Sequence, residues 1–409
     1  MNILLINHYA GSPELGMEYR PFYMAQNWAK AGHKVTIVAA DHSHLRLKNP
    51  HPVEDFEDRK CDNFNFCWVK TPDYNHDTGG RARNVFTFVS KLWRNCSMLA
   101  ERYSPDVIIA SSTYPFDSYP AHRLAKLCGV PLIWEVHDLW PLTQTALYDY
   151  NPRNPLVLAI ETAQRYVIRH SAHVVSIIPK GDEYLAQYGL DRNYYTHIPN
   201  GVSLSKKGKT PPKSYTEAIA KAKEQGKFVV MYCGSVGGSN AINELVIAAP
   251  ALRDKAEIMI VGNGGYRVML KRIVKENSLD NVQLFDAIPP EQARELMKEA
   301  DCLYLGASDS PLYAYGIGMN KLYDYMLAGR PVLLAVDCAD DPVARCGCGV
   351  SLGGCTPEKI VEGIERLRAC PTEELAEMGR KGTEYVTGHH DYAKLADAFL
   401  EVLVRCAGK

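Results

Sequence analysis

Short apolar runs that alternate with amphipathic segments constrain the fold of this chain more than any other feature. A continuous apolar run is typical of a parallel strand buried on both faces, and apolar positions three or four residues apart indicate a helix. In the first half, this pattern predicts strands over residues 2–7, 34–40, 107–111, 132–135 and 174–178, and helices near 18–32, 83–103, 118–128 and 155–170. Such alternation predicts a doubly wound α/β domain.

The same pattern begins again after a polar segment. Residues 202–213 are rich in lysine, serine and proline, a composition that is typical of a linker. Beyond it, apolar runs predict strands over residues 228–233, 258–261, 282–284, 302–305 and 332–336. The sequence therefore predicts two Rossmann-like domains, 1–203 and 204–390, and a C-terminal helix within 391–409 that crosses back to the first domain.

Composition excludes several classes of protein. The chain is 46% hydrophobic and 23% charged, and its formal net charge of −1 does not favour binding to nucleic acid. No apolar run reaches the ~20 residues that a membrane-spanning helix needs, and the N-terminus lacks the basic start of a signal peptide. We therefore expect a cytoplasmic protein.

Cysteine usage agrees with a reducing compartment. Twelve cysteines are scattered along the chain, which favours reduced thiols over a disulfide framework. Cys346, Cys348 and Cys355 form the one cluster, but their spacing does not match a zinc knuckle. No metal site is predicted.

The stretch 308–336 combines a glycine-bearing loop, a predicted helix over 319–328 and a buried strand. Gly316 and Gly318 allow a ligand to approach the backbone, and free N–H groups at a helix N-terminus attract phosphate. Lys321 adds a positive charge, and Asp324 offers a carboxylate that a ribose hydroxyl can donate to. The local pattern alone leaves open a surface helix in which Lys321 and Asp324 are merely solvated.

Two further glycine loops, 234–238 and 262–265, each lie between a predicted strand and a helix. Loops of this kind bind a diphosphate through backbone N–H groups. Arg267, in the helix after the second loop, is a weaker candidate for the same ligand. The loop after the first strand lacks the G-x-G-x-x-G spacing, so a nicotinamide cofactor is not expected.

Three segments of the sequence closely resemble the signature motifs of glycosyltransferase family 4: HDLWP (137–141), IPNGV (198–202) and NKLYDYMLAGRPV (320–332). The members of this family are retaining GT-B enzymes that use nucleotide sugars. The resemblance implies two Rossmann-like domains that face a central cleft, with the acceptor on the first domain and the donor on the second. With the segment NHYAGSP (7–13), the chain is also similar to bacterial O-antigen and capsule transferases such as N-acetyl-fucosamine transferases.

The resemblance also implies roles for single residues. Asp324 stands where the family has a glutamate, whereas Gly316 replaces a second family glutamate eight residues earlier. The implied catalytic residues are His137, Lys321 and Asp324. Implied donor contacts are Gly16, Gly234, Ser235, Gly238, Arg267, Ala287, Ile288, Gly316, Gly318 and Asn320, and implied acceptor-side contacts are Glu18, Arg20 and Asp138.

The function that the resemblance implies is metal-independent transfer of an N-acetylated hexosamine or 6-deoxyhexosamine. The sugar moves from a UDP-sugar to a lipid-linked oligosaccharide of a bacterial surface polysaccharide. Two alternatives stay open, a GT-B sugar-nucleotide epimerase and a non-catalytic protein that binds a nucleotide sugar.

The segment 81–102 mixes arginines with aromatic residues, so it predicts either peripheral contact with the inner face of the membrane or an ordinary core-facing helix. Residues 41–80 are rich in histidine, asparagine, aspartate and proline, and they predict an irregular insertion or lid.

Overall fold

A computed structural model describes residues 1–16, 19–74, 78–204 and 208–408. The chain forms two compact units. Unit 1 comprises Met1–Asn200 together with the C-terminal segment from Tyr392, and unit 2 comprises Gly201–Asp391. The chain thus passes between the units within the IPNGV segment (198–202) and again just before the last helix.

Unit 1 contains a largely parallel sheet in the strand order β3-β4-β2-β1-β5-β6-β7-β8. The strands are β1 (Asn2–Ile6), β2 (Lys34–Ala40), β3 (Glu57–Cys61), β4 (Phe64–Val69), β5 (Val107–Ala110), β6 (Leu132–Val136), β7 (His173–Ser176) and β8 (Tyr195–His197). Strand β1 has parallel neighbours on both sides, β2 and β5, and its residues 3–6 are buried. This burial explains why the apolar runs identified the strands.

The helices of unit 1 connect these strands. They are α1 (Tyr19–Lys30), α2 (Thr78–Arg94), α3 (Cys96–Tyr103), α4 (Ser118–Cys128), α5 (Leu142–Leu147), α6 (Pro155–His170) and α7 (Gly181–Ala186). The start of α6 shows why its N-terminus could be predicted from the sequence. The side chain of Asn154 accepts from the Leu156 N–H at 2.9 Å, and Pro155 occupies the first helical position, where no N–H is needed.

The prediction of an irregular insertion at 41–80 is wrong. The segment contains β3 and β4, which pair antiparallel with each other, and β4 extends the sheet alongside β2. Phe64, Phe66 and Trp68 alternate along β4 and are all buried, and the rings of Phe66 and Trp68 stack with centroids 4.6 Å apart. The polar residues around this strand concealed its period-two pattern.

The predicted helix over 83–103 is two helices. The helical path breaks at Asn95, whose φ and ψ of −106° and 16° are not helical, and α3 begins at Cys96. Within α2, Phe88 and Leu92 are buried, whereas Phe86 is 73% and Trp93 is 43% exposed. The segment 81–102 is therefore core-facing on one side and presents aromatic rings to solvent on the other.

Unit 2 contains a parallel sheet in the strand order β11-β10-β9-β12-β13-β14. Its strands are β9 (Phe228–Cys233), β10 (Ala256–Val261), β11 (Val282–Phe285), β12 (Cys302–Gly306), β13 (Val332–Ala335) and β14 (Gly349–Ser351). Its helices are α8 (Lys213–Glu224), α9 (Ile242–Ala248), α10 (Arg267–Glu276), α11 (Pro290–Met297), α12 (Asn320–Leu327), α13 (Pro342–Cys346), α14 (Pro357–Arg368) and α15 (Thr372–His389).

The strand order switches sides at β9: β10 and β11 are added on one side of β9, and β12 to β14 are added on its other side. In doubly wound sheets, ligands bind beyond the carboxyl ends of the strands at such a point. The loops that follow β9, β10 and β12 are therefore brought to one place by the topology.

The last helix, α16 (Tyr392–Ala407), belongs to unit 1. It packs on α1, where the buried Trp28 donates from Nε1 to the Ala396 carbonyl at 2.9 Å and meets the Phe399 ring edge-on. The ring of Tyr392 stacks on that of Tyr23 at 4.8 Å. Leu395, Phe399 and Leu403, which gave the helix its apolar face in the sequence, are buried here.

All twelve cysteines carry free thiols in the structure. A search of the described residues finds no helix with the length and apolarity needed to cross a membrane.

Candidate active site

Helix α12 is held against the end of β9 by a buried tyrosine. The hydroxyl of Tyr325 accepts from the Cys233 N–H at 2.9 Å and donates to the Cys233 carbonyl at 3.0 Å. Because one side chain satisfies both backbone polar groups of one residue, α12 is fixed relative to the loop that follows β9. The first turn of α12 carries Asn320 and Lys321.

Lys321 reaches from α12 into the first glycine loop. Its Nζ donates to the Tyr232 hydroxyl at 2.9 Å and to the Asn240 carboxamide oxygen, and it lies 4.9 Å from the centre of the Tyr232 ring. Burial lowers the pKa of Lys321 to about 8. The ammonium is thus held by neutral groups and is partly stripped of water, a state in which a phosphate is a favourable partner.

The two glycine loops pack backbone against backbone. A Cβ added to Gly262 would lie 1.8 Å from the Gly234 carbonyl oxygen, and one added to Gly264 would lie 2.2 Å from the Val236 carbonyl oxygen. The Val236 N–H donates to the Asn263 carbonyl at 2.9 Å. Only glycine fits at both positions, so the predicted loops are brought together as one surface.

Two glycines of the first loop leave space for neighbouring side chains. A Cβ on Gly234 would come within 2.7 Å of the Lys321 stem, and one on Gly238 within 2.6 Å of the Tyr266 ring. Within the described parts of the chain, the N–H groups of Gly237 and Gly238 donate to no other residue. Ser235, a predicted donor contact, is exposed, and its carbonyl accepts from Tyr232 and Asn240.

Arg267, a predicted donor contact, is engaged by groups of unit 2. Its guanidinium donates to the carbonyls of Gly262 at 2.7 Å and Phe285 at 2.5 Å, and it forms an ion pair with Asp286 at 3.0 Å. Arg267 therefore joins the second glycine loop to the turn that follows β11. That turn carries Ala287 and Ile288, which are two of the predicted donor contacts.

Asp324 lies one turn beyond Lys321 on α12. Its side chain is 38% exposed, and its Oδ1 lies 3.6 Å from Nη2 of Arg294 on α11. Gly316 ends the short helical turn 311–315 with a φ of 96°, a conformation that favours glycine. Gly318 follows it in the loop that precedes Asn320. Lys321 is the predicted residue of this stretch that contacts the first glycine loop, at Gly234 and Asn240.

Unit 1 contains a second polar group at the carboxyl end of its sheet. The buried Arg20 donates to Glu135 at 2.8 Å and to the carbonyls of Ile198 and Pro199. Burial by itself raises the pKa of Glu135, but Arg20, His137 and Ser111 together hold it at about 2, so the carboxylate is ionised. Arg20 is 3% exposed and its guanidinium is engaged by Glu135 and the two carbonyls, so the predicted acceptor contact of Arg20 stays a prediction.

His137 is oriented by this ionised carboxylate through Ser111. The Ser111 hydroxyl donates to Glu135 Oε2 at 2.5 Å, so its oxygen accepts from His137 Nε2–H at 3.1 Å. Nε2 also lies 3.5 Å from Glu135 Oε2, so the carboxylate faces the ring directly as well. The side chain of His137 is 8% exposed and follows β6, as the sequence predicted.

The other predicted contacts of unit 1 are placed as follows. Asp138 directly follows His137 in the chain, and Gly16 lies in the loop after β1 with a φ of 79°. The Gly16 N–H donates to the Ser12 carbonyl at 2.8 Å. Glu18 lies outside the described residues.

Sequence reasoning missed two residues around Lys321 and a buried histidine. Tyr232 lies inside a continuous apolar strand, where nothing distinguishes it from core, whereas Asn240 ends the glycine loop and was identifiable from that position. His8 follows β1 and is fully buried, with Nε2 on Asn84 at 2.6 Å and Nδ1 on Tyr114, and this burial lowers its pKa to about 3.

The contact between the glycine loops yields a first prediction. We expect Gly264→Ala to weaken nucleoside diphosphate binding at least about tenfold, because the new Cβ would strike the Val236 carbonyl and separate the loops. Gly265→Ala is the matched control, since a Cβ there meets nothing within 4 Å. Calorimetric titration with UDP measures both. Equal affinity in the two variants would show that the loop contact does not shape the site.

The pKa of Lys321 yields a second prediction. Lys321 is charged below about pH 8 and loses its charge as the pH rises through that value, so affinity for UDP should fall with rising pH. Losing one charge-assisted contact to phosphate predicts a fall of about tenfold. Lys321→Met should bind weakly with no such fall. The same pH profile in wild type and Lys321→Met would assign the titration to another group.

Comparison with known proteins identifies the family. Residues 16–201 match the model of a glycosyl transferase 4-like domain, and residues 215–385 match the model of glycosyl transferases group 1. The chain is also 24% identical over 143 residues to WcaI of Escherichia coli K12, which is named as a glycosyl transferase of colanic acid biosynthesis. That match spans about a third of each protein, 34% of this chain and 34% of the relative.

Solved structures agree in fold. Anabaena Alr3699/HepE in complex with UDP and glucose superposes with a TM-score of 0.68 at 14% identity, covering 99% of this chain and 100% of the other. Sucrose-phosphate synthase from Thermosynechococcus elongatus gives 0.74 at 16% identity, covering 98% of each. WaaG, a glycosyltransferase of lipopolysaccharide biosynthesis, gives 0.64 at 16% identity over the whole of both chains. The predicted fold class is confirmed, and the chain is a glycosyltransferase of family 4 with the GT-B fold.

Proposed function

We propose that this protein transfers a sugar from a UDP-sugar to a lipid-linked saccharide during assembly of a bacterial surface polysaccharide. The observation that carries the proposal is the convergence, in unit 2, of Lys321, two interlocked glycine loops and the turn after β11. WcaI and WaaG are named for the biosynthesis of colanic acid and lipopolysaccharide, which supports the class of product. The sugar is proposed to be an N-acetylated hexosamine or a 6-deoxyhexosamine.

The donor contacts suit the chemistry of the leaving group. When the bond between the anomeric carbon and the phosphate oxygen breaks, negative charge grows on the UDP that departs. The Lys321 ammonium and the N–H groups of Gly237 and Gly238 are groups that stabilise this charge. In this proposal they supply the stabilisation without a metal ion, and the configuration of the anomeric carbon is retained, as the family implies.

The turn after β11 is proposed to hold the uracil. Its carbonyls are already engaged, because Arg267 donates to Phe285 and the Tyr215 hydroxyl donates to Asp286 at 3.1 Å. In the described ranges, the N–H groups of Ala287 and Ile288 donate to no other residue, so a base oxygen can accept from them. The complex of HepE with UDP and glucose supports UDP as the nucleotide.

His137 is proposed to act on the sugar side. Its ring is oriented by Ser111 and Glu135, and an imidazole held in this way can form a hydrogen bond with a sugar hydroxyl. Glu135 also stabilises the imidazolium, should the ring take up a proton during transfer. We propose no protein nucleophile.

Helix α2 is proposed to contact an anionic membrane, where lipid-linked acceptors reside. Arg83, Phe86 and Trp93 lie on one side of the helix at helical spacing, and the Arg123 guanidinium of α4 lies 4.6 Å from the Trp93 ring. Exposed aromatic rings beside arginines are typical of a membrane interface. The proposed location is the cytoplasmic face of the membrane.

Nucleotide titration tests the donor site and gives the third prediction. We expect UDP to bind more tightly than GDP or TDP, with the same affinity in the presence of EDTA. His137→Gln should bind UDP like wild type and yet lose at least about tenfold in transfer from a UDP-sugar, because it acts after the donor is bound. Each variant is first checked for folding by its thermal melting curve.

The alternatives give different results in the same assays. UDP binding without hydrolysis or transfer of any UDP-sugar would indicate the non-catalytic binding protein. Conversion of a UDP-sugar to its epimer without an acceptor would indicate the epimerase. Failure to bind any of the three nucleotides would contradict the proposed site.

Vesicle binding tests the membrane contact and gives the fourth prediction. Phe86→Ala with Trp93→Ala should reduce cosedimentation with phosphatidylglycerol vesicles about tenfold, because two exposed rings are lost from the interface. Leu156→Ala with Leu158→Ala is the matched control, since these exposed residues lie on α6 of the same unit. If both double variants lose vesicle binding equally, or if neither loses it, then α2 is not the membrane contact.

A further inference from the structure

Arg294 connects the carboxylate of Asp324 to the backbone of Ser203. On α11, its Nη2 lies 3.6 Å from Asp324 Oδ1, and its Nη1 donates to the Ser203 carbonyl at 3.4 Å. The side chain is 20% exposed, so the guanidinium is partly desolvated between its two partners. No motif in the sequence indicated this residue.

The backbone at Ser203, to which Arg294 donates, is held in place by its neighbours. Ser203 is 8% exposed and directly follows Val202, whose N–H donates to the His390 carbonyl at 2.8 Å. Val202 also pairs in parallel with Asp391, so the two segments through which the chain passes between the units run side by side. A guanidinium held by a fixed carbonyl is a fixed partner for Asp324.

Asp324 can be restrained by such a partner. Its side chain is 38% exposed, so ordering the carboxylate costs side-chain entropy. An arginine restrains it through charge and through the fixed plane of the guanidinium.

We propose that Arg294 is a positioning residue for the donor: it holds Asp324 in the orientation in which the carboxylate accepts hydrogen bonds from the ribose of the nucleotide. This inference rests on the proposed function, since it requires a nucleotide in unit 2. Arg294 does not touch the reacting atoms. Its effect should therefore appear in the affinity for the donor and in the KM for the UDP-sugar, and not in kcat.

A double-mutant cycle with UDP tests the inference and gives the fifth prediction. We expect Arg294→Gln to weaken UDP binding about fivefold, Asp324→Asn to weaken it at least about tenfold, and the double variant to be no weaker than Asp324→Asn alone. Arg294→Lys, which keeps the charge, should recover part of the affinity. The control is Arg253→Gln, since Arg253 likewise joins a carboxylate, Asp280, to a carbonyl, that of Ser278.

The cycle separates the two claims. Wild-type protein that does not bind UDP, or Asp324→Asn that binds it like wild type, would contradict the proposed donor site. If both behave as expected, then wild-type affinity in Arg294→Gln, or losses that add up in the double variant, would overturn the role of Arg294. An equal loss in Arg253→Gln would also overturn it, because the effect would then be one of general stability.

Discussion

The proposed donor site in unit 2 depends on one partly desolvated ammonium group. Lys321 is held between the Tyr232 hydroxyl and the Asn240 amide oxygen, both neutral, and burial lowers its pKa to about 8. A lysine in a salt bridge would already have an anionic partner, whereas the partners of Lys321 among the described residues are neutral dipoles. Its position therefore favours an incoming anion, and in our proposal this anion is the diphosphate of a nucleotide sugar.

The surroundings of Lys321 are arranged by backbone contacts. Gly262 and Gly264 let the second glycine loop touch the carbonyls of the first, and Tyr325 fixes α12 to the end of β9. Arg267 then extends the same frame to the turn after β11. Charge stabilisation in a transition state is effective when the donors need not reorganise, and a frame of backbone contacts meets this condition.

Much of this arrangement was predictable, because it follows from local pattern. Buried strands give apolar runs, so β1, β2, β9 and β12 were identified, and the glycine loops and Lys321 were recognisable from their positions after strands and at a helix start. The contacts that decide roles were not predictable. Arg20 and Arg267 were predicted to contact ligands, and nothing in the sequence indicated the carbonyls and carboxylates that they contact in the structure. The two partners of Arg294 are likewise distant in sequence. The hairpin of β3 and β4 was missed because its polar neighbours outweighed a short alternating pattern.

Hydrogen–deuterium exchange with and without UDP tests the central claim most directly, because it reports on every segment at once. Our account predicts slower exchange on UDP binding in residues 234–240, 262–266 and 316–324. These are the two glycine loops and the start of α12, which together surround Lys321. Unchanged exchange in all three segments, or protection confined to unit 1, would contradict it.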